Sequence, residues 1–437
     1  AGPVTGVTNG HEWIDLGLPS GTRWATCNIG ASQPHQPGVL YAWGEKASKT
    51  TYAPETSKTH GKDMDDFSGD ATYDVATAKW GKGWRMPTKE EFEELVQRTH
   101  KCGLKVLIDF VPNHTARQYY SDKKPKEVKD FGADDDINMF FAPNNNYYYI
   151  TRQQFSPSID LGSGNNSYVE FPAKATGNDC FHAFCGEYDW YETVKLNYGK
   201  DYGDGSEYFD PIPDTWLKML NILRYWASKG VDGFRCDMAM LMPIEFWQVV
   251  RFNLQQIKPD IFLLAEAEED NIFQNAFDAC YSWRLHHAMC DVAKGNTRVW
   301  TLRETIHADM RRFPKWSMRM TFTSNHDENS WSGSEFTRFG DALEPMSALS
   351  FLLPNALPLI YTGQEFGYDH SFSFFERDAM PSMESNSYTE FYKKMCTLYH
   401  SHQALHSANE GGSFIEINNN APDCLLTFVR EKDDDRV

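Results

Sequence analysis

The sequence predicts an α/β fold built on a parallel sheet of the (β/α)8 barrel kind. Three observations carry this. Helical stretches alternate with short apolar runs, the rhythm of a parallel sheet. Each apolar run ends in polar or charged residues at its C-terminal end. The distances between those ends match one or two βα units, and in a barrel that edge is where a site is built.

Composition narrows the class before any element is placed. The chain has 437 residues, and 61 acidic against 42 basic residues give a net charge of −19. That excess excludes non-specific binding to nucleic acid or to an anionic membrane, both of which need a basic face. With 41% hydrophobic and 24% charged residues, the balance is that of a globular protein rather than a disordered or coiled-coil chain. The longest apolar candidate, around residues 347–361, is broken by Pro354 and Pro358, so no transmembrane segment is expected. The start at Ala1-Gly2-Pro3 carries no charged-then-apolar leader and reads either as a mature end or as an artificial start, both of which allow targeting information to have been removed.

Residues 1–87 are rich in Gly, Pro and Thr and read as a small β-rich module, with short segments such as His11 to Leu16 set between turn signals such as Leu18-Pro19-Ser20-Gly21. Its five tryptophans, Trp13, Trp24, Trp43, Trp80 and Trp84, are expected in its core, because a small module needs large side chains to bury enough area. A first helix starts at Thr88. Thr88 and Glu91 form a capping box, Phe92, Leu95 and Val96 an apolar stripe, and Gly103 a stop. Lys105 to Asp109 reads as a fully buried strand. Helices over 213–228 and 244–257 precede strands over 231–236 and 261–265, and 318–322 and 359–361 read as further strands. Residues 115–212 interrupt the alternation and are rich in Asn, Asp, Gly and Tyr, which predicts an inserted lobe over the barrel mouth. The organisation expected is therefore a module at 1–87, a barrel at 88–114 and 213–407, a lobe at 115–212, and the opening of a C-terminal β domain at 408–437.

The strand ends carry Asp109 with Asn113 and His114, Arg235 with Asp237, Glu266, and Asn325-His326-Asp327. Three carboxylates at neighbouring strand ends can converge on one small volume, and glycosidic cleavage needs two of them. Arg235 lies two residues before Asp237, on the same face of a strand, where a guanidinium favours the ionised carboxylate of a nucleophile. Glu266 follows the apolar run Phe262 to Ala265, where desolvation suits a general acid. His114 and His326 can donate hydrogen bonds to sugar hydroxyls. Cys180-Phe-His-Ala-Phe-Cys185 leaves two alternatives open, a disulfide across a short loop or a metal site that lacks a second ligand pair; the other cysteines read as scattered buried thiols. His286-His287 with Cys290 reads as helix packing. Tyr147, Tyr148, Tyr149, Trp190 and Trp331 are open between sugar stacking and core.

Asp109-Phe-Val-Pro-Asn-His114, Gly233-Phe-Arg-Cys-Asp237, Leu264-Ala-Glu266 and Asn325-His-Asp327 together resemble, in order and spacing, the four signature regions of the α-amylase family, glycoside hydrolase family 13. Leu196-Asn-Tyr198 resembles that family's extra motif near the end of its inserted lobe, and Tyr361-Thr-Gly-Gln-Glu365 its eighth-strand segment. The resemblance covers residues from about 88 to 437. It implies a retaining glycosidase acting on α-1,4 bonds of starch-like α-glucans, with Asp237 as nucleophile, Glu266 as acid/base and Asp327 as the carboxylate that binds the reacting sugar. Arg235, His114, His326 and Asp109 would bind substrate or orient the carboxylates. Asn113 matches a residue that ligates a structural calcium in many members, but Leu241 stands where a histidine usually follows the nucleophile. α-Glucan oligosaccharides or polysaccharides are the partners implied.

Two departures accompany the match. A complete family barrel has two strands before the helix at Thr88, and no candidate for them is found, so the barrel is expected to lack its first two strands. In their place, Trp13-Ile-Asp-Leu-Gly-Leu-Pro-Ser-Gly21, Ala42-Trp-Gly44 and Trp84-Arg-Met-Pro-Thr88 resemble a module of paralogous surface proteins of Bacteroidetes and Fibrobacter, which implies an extracellular, cell-surface or periplasmic location. The C-terminal β domain is expected to be truncated at Val437. Alternative functions on the same residues are a transglycosylase or debranching enzyme, or a carbohydrate-binding protein with an impaired barrel.

Overall fold

The computed structural model describes residues 4–437 apart from 16, 17, 19, 33–37, 50–55, 60, 61, 63, 65, 120, 122, 123, 160–167, 375–377, 379, 381 and 382, and apart from the side chains of Lys89 and Phe92. The expected start at residues 1–3, Leu16, Gly17 and Pro19 of the N-terminal motif, and the Phe92 member of the apolar stripe lie outside the described residues. The chain forms two compact units, Ala1–Ala31 with Gly38–Phe262, and Ser32–Pro37 with Leu263–Val437.

The first unit opens with an antiparallel sheet of β1 (Val4–Thr8), β2 (His11–Asp15) and β3 (Arg23–Ala25). Asn9-Gly10 turns the first hairpin with both residues at positive φ, the geometry that matches strand twist. Helix α1 (Val75–Trp80) follows. The Trp80 ring packs on His11 at 4.3 Å and on Trp84 at 4.9 Å, so these tryptophans are core, whereas Trp43 is 59% exposed. Helix α2 (Lys89–Lys101) starts with the expected capping box, and Gly103 beyond its end has φ 76°. The module touches α2 through polar contacts: Thr22 donates to Glu91 at 2.8 Å, and Arg85 pairs with Glu91 at 2.5 Å.

Strand β4 (Leu107–Phe110) pairs in parallel with β9 (Gly233–Cys236), reached through the lobe and helix α3 (Asp214–Ser228). The expectation of a fully buried strand at 105–109 is corrected. The strand starts at Leu107, which is 39% exposed, because β4 is the edge of its sheet and nothing among the described residues pairs with its other side. The lobe holds two small antiparallel pairs, β5 (His114–Ala116) with β8 (Thr193–Lys195), and β6 (Tyr149–Ile150) with β7 (Ala173–Lys174). Tyr147, Tyr148 and Tyr149 are buried in it and are core. Helix α4 (Ile244–Gln255) closes the unit's α/β part.

The second unit carries β10 (Phe262–Ala265, its first residue belonging to the first unit), β11 (Ala279–Tyr281), β12 (Met318–Thr321) and β13 (Ala356–Pro358), parallel and in that order. Strand β11 is only three residues long and was not expected. The strand expected at 359–361 lies three residues earlier, where Leu353 to Pro358 supplies the apolar run. Helices α5 (Trp283–Ala293), α6 (Val299–Arg312), α7 (His326–Ser332), α8 (Glu335–Phe339), α9 (Leu343–Leu352) and α10 (Ser387–Ser401) surround them. Leu285, Met289, Leu302, Ile306, Phe339 and Leu343 form one core cluster between these helices. A final antiparallel sheet of β14 (Ser413–Glu416), β15 (Phe428–Lys432) and β16 (Asp435–Arg436) follows. The α/β class with parallel strands is thus as expected, but among the described residues no closed barrel is present, and β1, β2 and β3 pair only with one another. No described helix is long and apolar enough to cross a membrane.

Candidate active site

In the first unit the parallel pairing of β4 with β9 sets Asp109 directly beside Arg235. Arg235 Nη1 donates to Asp109 Oδ1 at 3.1 Å and to Asp237 Oδ1 at 2.7 Å. Asp237 follows the last residue of β9, and its amide continues the ladder to the Phe110 carbonyl at 2.9 Å. The i, i+2 spacing therefore does what a strand dictates: it puts guanidinium and carboxylate on one face, with a second carboxylate across the ladder. A carboxylate held this way is fixed in orientation.

His114 stands close to the same charges. Its ring packs edge-on against Trp190 at 5.5 Å between centroids. Burial holds its imidazole below the ordinary histidine value, against the pull of Asp237 and with the repulsion of Lys195. At neutral pH the ring is thus mainly neutral, with one donor and one acceptor nitrogen.

Asn113 is 1% exposed, and its amide is already engaged. Its Nδ2 donates to the Gly177 carbonyl at 2.7 Å, and its Oδ1 accepts from Lys195 Nζ at 3.2 Å. Lys195, its side chain 2% exposed, also pairs with Asp179 at 2.5 Å. An ammonium in contact with both oxygen donors occupies the place a calcium ion would need, and the two positive charges exclude each other. With Leu241 in place of a histidine, the residues present do not fit calcium at this position. Lys195 was missed by sequence reasoning; its only signal was its place just before the Leu196-Asn-Tyr198 motif.

The second unit carries the other expected residues. Glu266 follows β10 directly and is 7% exposed, behind the fully buried Leu263 and Ala265. His326 and Asp327 open helix α7, with His326 Nε2 at 3.4 Å from Asp327 Oδ2. Asn325 is the cap: its side chain accepts from the Glu328 amide at 2.8 Å. The loop before it is gripped by Arg338, which is 2% exposed and donates to the Thr323 carbonyl at 2.8 Å, to Ser324 Oγ at 2.9 Å and to the Glu328 carbonyl at 2.7 Å. Gln364, from the segment after β13, donates to Thr323 Oγ1 at 2.9 Å and to the Tyr392 hydroxyl at 3.1 Å.

Helix α5 contributes a buried ion pair that spacing did not reveal. His286, with no exposed surface, sets Nδ1 3.1 Å from the Phe322 carbonyl and Nε2 3.3 Å from Glu328. Both ring nitrogens face acceptors, which calls for the doubly protonated form. Burial pulls its pKa down, but the hydrogen bonds with Cys290 and Glu328 outweigh it and raise it to about 9. Hydrogen bonding to His286 in turn lowers Glu328 to about 2. Trp331 is 63% exposed and leans on Phe374 at 4.8 Å, so it is a surface ring rather than core.

Known proteins resemble this chain in sequence and in fold. Alpha-amylase 2 of Dictyoglomus thermophilum is 22% identical over 405 residues, covering 88% of this chain and 58% of that protein. Cyclomaltodextrin glucanotransferase of Geobacillus stearothermophilus is 23% identical over 327 residues, covering 69% of this chain and 39% of that protein. The chain thus spans little more than half of the first relative's length and less than half of the second's. In fold it is similar to the maltogenic alpha-amylase AmyB of Thermotoga neapolitana, with a TM-score of 0.56 at 21% identity over 78% of this chain and 65% of that one. Residues 70–397, most of the chain, match the family described as the alpha amylase catalytic domain, and the chain therefore belongs to the α-amylase family.

Proposed function

We propose that the protein is a retaining glycoside hydrolase that cleaves α-1,4-glucosidic bonds of starch-like α-glucans. The observation that carries this is the Asp237 carboxylate at the end of β9, aimed by Arg235, which is itself anchored on Asp109. In this reading an Asp237 oxygen attacks the anomeric carbon while Glu266 protonates the departing glycosidic oxygen; Glu266 then takes a proton from the water that releases the sugar. Glu266 is 7% exposed and follows an apolar strand, the kind of place in which this reading puts its general acid. Asp327 binds hydroxyls of the reacting sugar, and His114 and His326 hydrogen-bond others. Lys195 takes over the bracing of lobe against strand that a metal would otherwise supply.

Two other outcomes have specific support. A sugar hydroxyl in place of water gives transglycosylation, the chemistry named in the glucanotransferase relative. A binding protein of low turnover is favoured by the open edge at β4, since displacing catalytic groups by about 1 Å costs about 100-fold in rate. Turnover on maltoheptaose, with a reducing-sugar assay and a product profile beside a full-length relative, separates the three. New reducing ends support hydrolysis, longer or cyclic products support transfer, and saturable binding without products defeats the enzyme reading.

A further inference from the structure

The lobe contains a cluster of ligand-type side chains that the glycosidase reading does not use. Cys180 and Cys185 are both buried, and their sulfurs are 3.8 Å apart, far beyond a disulfide bond. Both thiols converge on one spot, with the His182 carbonyl 3.8 Å from Cys180 Sγ and 3.9 Å from Cys185 Sγ. A carboxylate oxygen of Asp189 lies within 4.8 Å of both sulfurs. The exposed His182 ring approaches Cys180 Sγ alone, with Nε2 at 3.4 Å, and stands outside this cluster. We propose that Cys180, Cys185 and Asp189 bind one thiophilic divalent cation of the zinc type.

The distances are those such an ion imposes. Two thiolates each about 2.3 Å from a tetrahedral ion stand about 3.8 Å apart. Two thiolate sulfurs are soft donors, which select zinc over calcium or magnesium, and an open fourth position can be taken by water. Binding exchanges the two thiol protons for one divalent ion; with the Asp189 carboxylate the site then carries a net charge of −1. The loop is prepared for it. The Cys180 amide donates to Thr176 Oγ1 at 3.2 Å, the Cys185 carbonyl accepts from Ser158 N at 2.8 Å, and Asp189 Oδ2 is fixed by the Gly186 amide at 2.7 Å.

The ion would act as a staple on the loop that backs His114 and Asn113. Asp189 Oδ1 accepts from Asn178 Nδ2 at 3.3 Å, and Asn178 Oδ1 accepts from the Trp190 amide at 3.2 Å. Trp190 carries the ring against His114, and Gly177 carries the carbonyl that holds Asn113. The metal site itself does not depend on the glycosidase reading.

The test uses the full chain, reduced and stripped of metal, titrated with cobalt(II) and then with zinc(II). One equivalent of cobalt should give a thiolate charge-transfer band and the visible bands of a tetrahedral ion, and one equivalent of zinc should bleach them. Cys180→Ser and Cys185→Ser should each remove the charge-transfer band and weaken zinc binding by at least about 100-fold, with Asp189→Asn as a milder variant should either serine variant fail to fold. Far-ultraviolet circular dichroism checks folding. Absence of a cobalt–thiolate band in the folded wild type overturns the proposal. A band that survives both serine variants assigns the metal to other thiols, such as the exposed Cys102 and Cys424, and overturns it too. So does recovery of Cys180 and Cys185 as a disulfide from protein held in saturating zinc.

Discussion

Removing the anion from the buried pair under helix α7, by Glu328→Gln, should destabilise the protein most in mildly acid solution and hardly at all in alkali. The sign follows from both partners. His286 is raised from 6.5 to about 9 in the folded state, so its contribution is complete below pH 6.5 and is lost as pH rises through about 9. Glu328 is lowered from 4.5 to about 2, so its contribution is complete above pH 4.5 and is lost as pH falls through about 2. The plateau is therefore pH 4.5 to 6.5. The two shifts share the His286–Glu328 interaction and are not added; the His286 shift also contains the Cys290 hydrogen bond, so it sets an upper bound for the pair. At about 1.4 kcal/mol per unit, the histidine shift corresponds to roughly 3 kcal/mol, and the full burial of His286 leaves little solvent screening to reduce it. Urea unfolding of wild type and Glu328→Gln at pH 6.0, 8.0 and 9.5 measures the gap. It should be at most about 3 kcal/mol at pH 6.0, clearly smaller at pH 8.0 and below about 1 kcal/mol at pH 9.5. A gap that stays constant over this range would refute the reasoning, because it would mean a neutral imidazole and a pair held by an uncharged hydrogen bond. Imidazole nitrogen chemical shifts give an independent check, with His286 titrating near pH 9.

Asp237→Asn and Glu266→Gln should each lower activity on soluble starch by at least about 100-fold while circular dichroism stays unchanged; more than about a tenth of wild-type rate in either would sink the role assignment. NMR of the first product from an α-linked substrate should show the α-anomer, and a β-anomer would exclude a covalent intermediate on Asp237. Lys195→Met should destabilise the protein by about 1–3 kcal/mol, since it leaves the buried Asn113 oxygen without its donor, and millimolar calcium should not raise the wild-type melting temperature. A rise of several degrees with calcium would show that the ammonium yields its place.

How far the sequence reached depends on the range of the interaction. The capping box at Thr88 and Glu91 involves neighbours three residues apart, so helix α2 was legible to the residue. The Arg235–Asp237 pair was legible because a strand puts every second side chain on one face. Chain-local patterns of this kind also marked the parallel strands and the four motif segments that carry Asp109, Asn113, His114, Glu266 and Asp327. Strand β11 escaped because a three-residue run is too short to show a period.

The exposure of β4 was not legible, since an apolar run looks the same whether or not a neighbouring strand exists to cover it. Lys195 against Asn113 spans 82 residues and His286 against Glu328 spans 42, and neither pair has a sequence pattern of its own. Sequence alone determined which residues can do chemistry, because chemistry belongs to side-chain type and local period. Tertiary structure alone decided which charges are paired and which edges are covered, because burial and charge pairing arise only when distant segments meet.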